Sequence, residues 1–236
     1  MKYILAAILS AVVGTGFSQI PLSIGKKNGP TGGRVMDVEY DATGGKYYAV
    51  VDYRLFYSSD NGQTWQDLVF SGSDDSFYEI EIANNTIYLL TGYDLYASTD
   101  QGATFTKRNS VSSVLSGSYK LKRNSSGRLI ALASNRVRYS TDNGVTWTLG
   151  ASGSFDTKFL AINSSDQIFV KENLNPGKIR KSVDGGATFA DPTTQPGGGT
   201  TATAFSLMAN NSGGLVYTVT ADNIYSSVDG NAWTSI

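Results

Sequence analysis

Short strand-like segments alternate with turn-forming residues along most of the chain. One unit reads Tyr119–Arg123, Leu129–Ala133 and Val137–Tyr139, separated by runs of Asn, Ser and Gly. Segments of this length, bounded by turn formers and rich in apolar or β-branched residues, predict antiparallel strands rather than helices. A fourth segment begins at an aromatic residue after the last turn of each unit. The pattern therefore predicts units of four strands.

An eight-residue motif occurs once in each of five such units. Its aspartates stand at positions 60, 100, 142, 184 and 229, so successive copies are 40 to 45 residues apart. A period in this range is typical of a four-stranded propeller blade. The copies are Ser58–Trp65, Ser98–Phe105, Ser140–Trp147, Ser182–Phe189 and Ser227–Trp233, the last being one residue shorter.

The common pattern, S-x-D-x-G-x-T-[W/F], resembles the BNR or Asp-box repeat found in sialidase-like, sortilin-like and xyloglucanase-like propellers. The resemblance implies an all-β fold, a β-propeller of five four-stranded antiparallel blades. We expect Ile20–Ile24 to pair beside the last blade and close the ring, because an exposed blade edge would invite aggregation. The alternative is that the chain is an incomplete part of a larger six- or seven-bladed propeller.

The motif has the chemistry of a tight turn. Ser and Asp side chains can hydrogen-bond to the turn backbone, and glycine supplies a positive φ without steric cost. One carboxylate per motif is too few for a calcium loop, so no metal is expected here. In the fifth copy we expect Asn231 to replace the glycine. The predicted structural residues are Asp60, Gly62, Trp65, Asp100, Gly102, Phe105, Asp142, Gly144, Trp147, Asp184, Gly186, Phe189, Asp229 and Trp233.

The N-terminus predicts export. Lys2 is followed by a short apolar run, and Gly16 and Ser18 occupy the positions that a signal peptidase requires. We expect residues 1–18 to be a secretory signal peptide and residues 19–236 to be a single propeller domain without a membrane span. The alternative is a retained N-terminal anchor helix. The expected location is secreted, periplasmic or on the cell surface of a bacterium.

Composition narrows the chemistry. The 236 residues include 19 Lys and Arg, 20 Asp and Glu, and no His or Cys. Balanced charge disfavours nucleic acid as a partner. The absence of His and Cys removes the usual zinc ligands, thiol nucleophiles and the base of Ser-His-Asp hydrolases. We expect no cofactor, and we expect a monomer.

Within the family picture the boxes lie on one face and ligands bind at the loops of the other. Tyr53, Arg54, Tyr93 and Arg136 are the predicted ligand contacts in those loops. Tyrosine rings pack on apolar surface while polar groups hydrogen-bond, a combination that suits a glycan or a protein ligand. The predicted function is therefore that of a secreted, non-catalytic propeller that binds such a ligand through the rim opposite the Asp boxes.

The alternative function is that of a sialidase-like glycoside hydrolase, which would use carboxylates and Tyr at the channel mouth. The candidate carboxylates in the first strands are Asp37, Glu39, Glu79 and Glu81. The first strand of the third unit carries Lys120, Lys122 and Arg123. These charges either line the channel with an acidic and a basic side, or face outward or pair with their neighbours. The Arg-Ile-Pro motif of sialidases is missing, so we assign no catalytic residue.

Overall fold

The computed structural model describes residues 33–70, 76–109, 112–151, 153–173, 177–197, 206–209, 214–221 and 223–236. These residues form five small antiparallel sheets and one short 3-10 helix, Ser112–Leu115. The sheets are the five blades of a β-propeller, which confirms the predicted fold. Residues 1–18 and Ile20–Ile24 lie outside the described residues, so the signal peptide and the closing strand stay predictions.

Each blade is a meander whose first strand lies innermost, since the first strands of consecutive blades contact one another. The inner strands are β1 (Val35–Asp41), β5 (Phe77–Ala83), β9 (Leu121–Arg123), β13 (Phe155–Ile162) and β16 (Ser206–Ala209). The second strands are β2 (Lys46–Val51), β6 (Thr86–Thr91), β10 (Leu129–Ala133), β14 (Ile168–Glu172) and β17 (Val216–Val219). The third strands are β3 (Arg54–Ser58), β7 (Leu95–Ser98), β11 (Arg136–Ser140), β15 (Ile179–Ser182) and β18 (Ile224–Ser227).

The outer strands are shorter than the sequence predicted. They are β4 (Gln66–Asp67), β8 (Thr106–Lys107), β12 (Thr148–Leu149) and β19 (Thr234–Ser235). Blade 4 has three strands, and a single antiparallel bridge between Lys181 and Ala190 stands where its outer strand was expected. Four blades are thus four-stranded, and the prediction of a fourth strand in every blade is wrong for blade 4.

Hydrophobic clusters join consecutive blades. Leu90 and Leu95 of blade 2, for example, share a buried cluster with Leu121 and Leu129 of blade 3, and Trp147 packs against it. The aromatic residues that close the second, fourth and fifth boxes pack in the same way, each between its own blade and the preceding one. They are Phe105, Phe189 and Trp233. Among the described residues no such cluster joins blade 5 to blade 1, where Trp65 packs only on residues of its own blade.

The Asp boxes form one repeated hydrogen-bond pattern. In the first box the Ser58 hydroxyl donates to Asp60 Oδ1 (2.8 Å) and accepts a bond from the Gly62 amide (2.8 Å). Asp60 accepts two more bonds, from the amide (2.8 Å) and the hydroxyl (2.6 Å) of Thr64. Boxes two to four repeat all four bonds. The aspartate carboxylate is thereby used within the turn itself.

The fifth box is one residue shorter than the others, and its turn differs from the one predicted from the sequence. Gly230 takes the positive φ (+75°), and its amide donates to Ser227 Oγ (2.8 Å). Asn231 does not replace glycine. Its amide and its side-chain Nδ2 each donate to Asp229 (2.8 Å in both cases), which are the bonds that threonine makes in the other boxes. The shortened turn therefore keeps its aspartate-centred bonds.

Substitution of two box glycines tests how closely neighbouring blades pack. Gly62 and Gly144 have similar φ values of +78° and +85°, but of the two only Gly144 faces the preceding blade closely, where an added Cβ would overlap Leu95. At Gly62 the nearest atom would be Trp65 Cζ2 at 3.7 Å. We expect Gly62→Ala to cost about 1 kcal/mol of unfolding free energy and Gly144→Ala about 1–3 kcal/mol more. Urea titration of both variants measures the difference, and equal losses would contradict this account of the packing.

Candidate ligand-binding site

The two ends of the propeller carry different turns. Lys46, which opens β2, donates from Nζ to Gln101 Oε1 (3.0 Å) in the second Asp box, so the β1–β2 turn lies at the box end. Arg34 precedes β1, and its amide donates to Asp52 Oδ1 (2.8 Å) in the β2–β3 turn. The inner strands therefore begin at the end opposite the boxes.

A cavity of about 360 Å³ lies at this opposite end, where the inner strands begin. We call it the mouth cavity. Its lining combines three tyrosines, three cations and two apolar side chains: Arg34, Val35, Met36, Tyr53, Tyr78, Tyr119, Lys120 and Lys158. A volume of this size is at the lower end of the range for small-molecule and side-chain pockets.

Four lining residues occupy one position of the repeat. The pairing of each inner strand with its second strand gives a common register for the blades. In this register one position is occupied by Met36, Tyr78, Tyr119 and Lys158. Equivalent positions of a propeller lie at the same height around the channel. Four successive blades thus each contribute one side chain of this position to the wall of the cavity.

The tyrosines form a stacked row. Tyr78 meets Tyr53 edge to face at 5.2 Å and Tyr119 at 4.7 Å between ring centroids. Tyr53 comes from the β2–β3 turn, where Asp52 and Tyr53 both have positive φ (47° and 65°), as a tight hairpin turn requires. Burial, and then the neighbouring tyrosines, raise the pKa of Tyr78. The phenol of Tyr78 therefore stays a neutral hydrogen-bonding group at physiological pH.

Two cations of the mouth cavity lack an ionic partner among the described residues. Arg34 and Lys158 are exposed, and no described carboxylate forms an ion pair with either side chain. Asp52 and Asp156 accept bonds from the backbone amides of Arg34 and Lys158, not from their side chains. The third cation, Lys120, donates to Glu79.

Below the mouth cavity lies a group of six charged side chains that we call the charged cluster. It comprises Asp37, Glu39, Glu79, Glu81, Lys120 and Lys122, all from the inner strands of blades 1 to 3 or the residue before them. Lys122 Nζ lies 3.3 Å from Glu39, 3.4 Å from Glu79 and 3.1 Å from Glu81. Asp37 Oδ2 accepts the amide of Ile80 (3.0 Å). Of the two arrangements left open by the sequence, the charges pair with their neighbours.

The charged cluster holds four carboxylates against two ammonium groups, so full ionisation would leave two uncompensated negative charges in a buried place. Burial, followed by Asp37, raises the pKa of Glu79 to about 8. Burial likewise raises the pKa of Glu81 to about 7 and raises that of Glu39. The surrounding carboxylates raise the pKa of Lys122 despite its burial. Glu79 and Glu81 therefore hold protons over part of the neutral pH range.

The structure separates the four predicted ligand contacts. Tyr53 lines the mouth cavity, but Arg54 pairs with Asp67 (2.5 Å) at the outer edge of blade 1. Tyr93 is 60% exposed in the β6–β7 turn, and Arg136 is exposed at the start of β11; neither lines the cavity. Tyr119, Lys120 and Lys158 were not predicted as ligand contacts. Their shared place at the start of the inner strands was the signal that could have found them.

The four candidate catalytic carboxylates are all members of the charged cluster. Glu79 has no exposed side-chain surface, and its Oε1 has no hydrogen-bond partner among the described residues. A general acid must lie within hydrogen-bond reach of the substrate. In this geometry Glu79 reaches Lys120 and Lys122 instead, and none of the four carboxylates lines the mouth cavity.

No helix within the described part of the chain is long and apolar enough to cross a bilayer. A search of curated protein sequences found no match.

Similar solved structures are propeller proteins at low sequence identity. YCF48 from Cyanidioschyzon merolae is 15% identical with a TM-score of 0.64, over 86% of this chain and 72% of that one. YCF48 bound to D1 peptide is 17% identical with a TM-score of 0.62, over 86% and 67%. An ancestral GH74 enzyme is 17% identical with a TM-score of 0.65, over 87% of this chain but 31% of its own. At these identities the likeness concerns the fold alone.

A family model gives a closer assignment. The model Sortilin-Vps10, described as sortilin, neurotensin receptor 3, matches residues 53–182. This match runs from the end of the first β2–β3 turn to the serine of the fourth Asp box. It covers more than half of the 236 residues. The chain is therefore a member of the Sortilin-Vps10 family.

Proposed function

We propose that this protein is an exported, non-catalytic propeller that binds a segment of a partner protein in the mouth cavity. The observation that carries the proposal is the row of three tyrosines beside three cations at the channel mouth. Tyrosine offers large, rigid contact area with a polar tip and is enriched among the residues that dominate binding energy. A propeller of the same fold, YCF48, binds a D1 peptide. Export rests on the signal predicted for residues 1–18.

The placement of the carboxylates supports a non-catalytic role. Retaining and inverting glycosidases both need two carboxyl groups facing the scissile bond. Here three of the four candidate acids pair with Lys120 or Lys122 below the cavity, and one of the three, Glu79, is fully buried. The fourth, Asp37, accepts the backbone amide of Ile80. Assay of the wild type with a panel of chromogenic glycosides tests the alternative, since turnover would contradict a purely binding function.

The binding proposal is tested with one tyrosine at each end of the propeller. Tyr53 in the mouth cavity is 40% exposed and stacks on Tyr78, whereas Tyr40 at the box end is 42% exposed and stacks on Tyr47 at 4.6 Å. The mature chain and the variants Tyr53→Ala and Tyr40→Ala are applied to a peptide array and a glycan array. We expect Tyr53→Ala to weaken peptide binding about tenfold and Tyr40→Ala to leave it within twofold.

Other outcomes decide against the proposal. Binding confined to glycans would replace the protein ligand by a carbohydrate. Equal binding by both variants would move the site away from the mouth cavity, and binding to neither array would refute a ligand-binding role at this mouth. Because both tyrosines are partly exposed and each contacts one other tyrosine ring, thermal unfolding of the two variants controls for loss of folded protein.

A further inference from the structure

The charges around the mouth cavity carry an inference about its ligand, which rests on the proposed function. All the ionisable side chains that line the cavity, apart from the tyrosines, are basic: Arg34, Lys120 and Lys158. No carboxylate is among the described residues that line this cavity. A pocket with charge of one sign attracts ligands of the other sign and orients them.

The three cations are arranged on more than one side of the opening. Arg34 precedes the inner strand of blade 1, Lys120 precedes that of blade 3, and Lys158 lies within that of blade 4. A single small anion would satisfy one of these positions. A ligand with several carboxylates along a flexible chain can reach cations on different blades at once.

Lys120 differs from the other two cations because it is shared with the charged cluster. It donates to Glu79, which itself carries a proton through much of the neutral range because burial raises its pKa. When Glu79 is protonated, the positive charge of Lys120 is no longer compensated by that partner.

We propose that the mouth cavity recognises an acidic segment of a polypeptide, with Asp or Glu side chains on Arg34 and Lys158 and the neighbouring residues against the tyrosines. Guanidinium and ammonium groups hold carboxylates by charge-assisted hydrogen bonds. The tyrosine row supplies apolar surface and phenol donors that fit the backbone between acidic residues. The tyrosines alone or the cations alone would fit many ligands, but the tyrosine row together with Arg34 and Lys158 favours an acidic peptide.

The test uses two synthetic probes of the same length. One is a fluorescein-labelled decapeptide with four aspartates and an amidated C-terminus, and the other has asparagine at the same four positions. Amidation removes the terminal carboxylate, so any preference comes from side chains. We expect the aspartate peptide to bind at least tenfold more tightly than the asparagine peptide in 50 mM salt, with most of the preference lost in 500 mM salt.

A pair of double variants locates the effect. Arg34→Gln with Lys158→Gln removes both unpaired cations of the cavity and is expected to weaken the aspartate peptide about tenfold. Arg54→Gln with Lys46→Gln removes the same two charge types elsewhere, where Arg54 pairs with Asp67 and Lys46 bonds to Gln101. This control is expected to stay within twofold.

Each further result is decisive. Equal weakening in the control pair would show a general charge effect and overturn the placement in the mouth cavity. Equal affinity for the two peptides, together with neutral or basic peptides bound on the array, would overturn the acidic ligand but leave the proposed function standing. Failure of every peptide on the array would instead refute the proposed function.

Discussion

Lys122→Met is expected to lower the free energy of unfolding by about 3–5 kcal/mol, the loss typical of removing one partner from a buried charge network. Lys122 Nζ is the shared contact of Glu39, Glu79 and Glu81, which come from the inner strands of two blades. Methionine keeps most of the side-chain volume but not the charge. The carboxylates would then have Lys120 as their remaining cation in the charged cluster.

Urea titration of Lys122→Met measures this loss, and two further variants interpret it. Lys46→Met changes a half-buried lysine at the box end that has no carboxylate partner among the described residues, and it should cost less than about 0.5 kcal/mol. Adding Glu79→Gln and Glu81→Gln to Lys122→Met should restore part of the stability, because uncharged amides do not need the lysine. A loss below about 1 kcal/mol in Lys122→Met, or no recovery in the triple variant, would show that the cluster does not hold the inner strands.

The second large effect is a stability maximum on the acidic side of neutrality. The pKa values of Glu79 and Glu81 are raised in the fold to about 8 and about 7. For a carboxyl group whose folded pKa lies above its unfolded pKa, the fold binds more protons than the unfolded chain between the two values. Stability therefore falls as pH rises from about 4.5, the ordinary value, toward 8.

The Asp boxes have the opposite effect on stability at lower pH: they make the free energy of unfolding rise with pH. Hydrogen bonds from Thr and Ser hold the pKa of Asp60, Asp100 and Asp142 at about 2, and the pKa of Asp184 is also about 2. The folded pKa is below the unfolded value, so this contribution is complete above about pH 4 and is lost as pH falls toward 2. The two limbs together place the maximum near pH 4 to 5.

Urea midpoints measured from pH 2 to 9 test the pH curve. In the wild type we expect a rise from pH 2 to 4 and a fall from pH 5 to 8. The variant Glu79→Gln/Glu81→Gln should lose most of the fall but keep the rise, because it leaves the boxes unchanged. A wild-type curve that climbs from pH 5 to 8, or a fall that survives in the variant, would contradict the assignment to the charged cluster.

Sequence reasoning located the blades because the information is local. Each box is eight or seven consecutive residues, and its aspartate makes all of its turn contacts within four positions. Strand bounds near the boxes were therefore accurate to about one residue, as at β10, which was predicted without error. Local turn chemistry did not show that Asn231 would take the role of threonine, because both Asn and Thr suit that turn.

The mouth cavity could not be predicted in the same way, since it joins residues from four blades. The pairing of β13 with β14 is interrupted between Phe155 and Leu160, an irregularity that no local residue pattern announces. Lys158 lies within this interruption and still aligns with Tyr78 and Tyr119 in the structure. Arg54 was predicted as a ligand contact because it follows the β2–β3 turn. Its long side chain instead reaches the outer strand and pairs with Asp67, a contact that the local sequence does not show.

The separation of boxes and cavity bears on how such a chain can diversify. The turns that specify the fold are at one end, so Met36, Tyr78 and Lys158 can be exchanged without breaking a box hydrogen bond. Substitutions in the cavity can therefore change ligand preference while the fold stays the same. Lys120 is the exception, because it lines the cavity and also donates a hydrogen bond to the buried Glu79. A descendant that alters Lys120 is expected to alter Glu79 with it, which makes this pair a point of epistasis between recognition and folding.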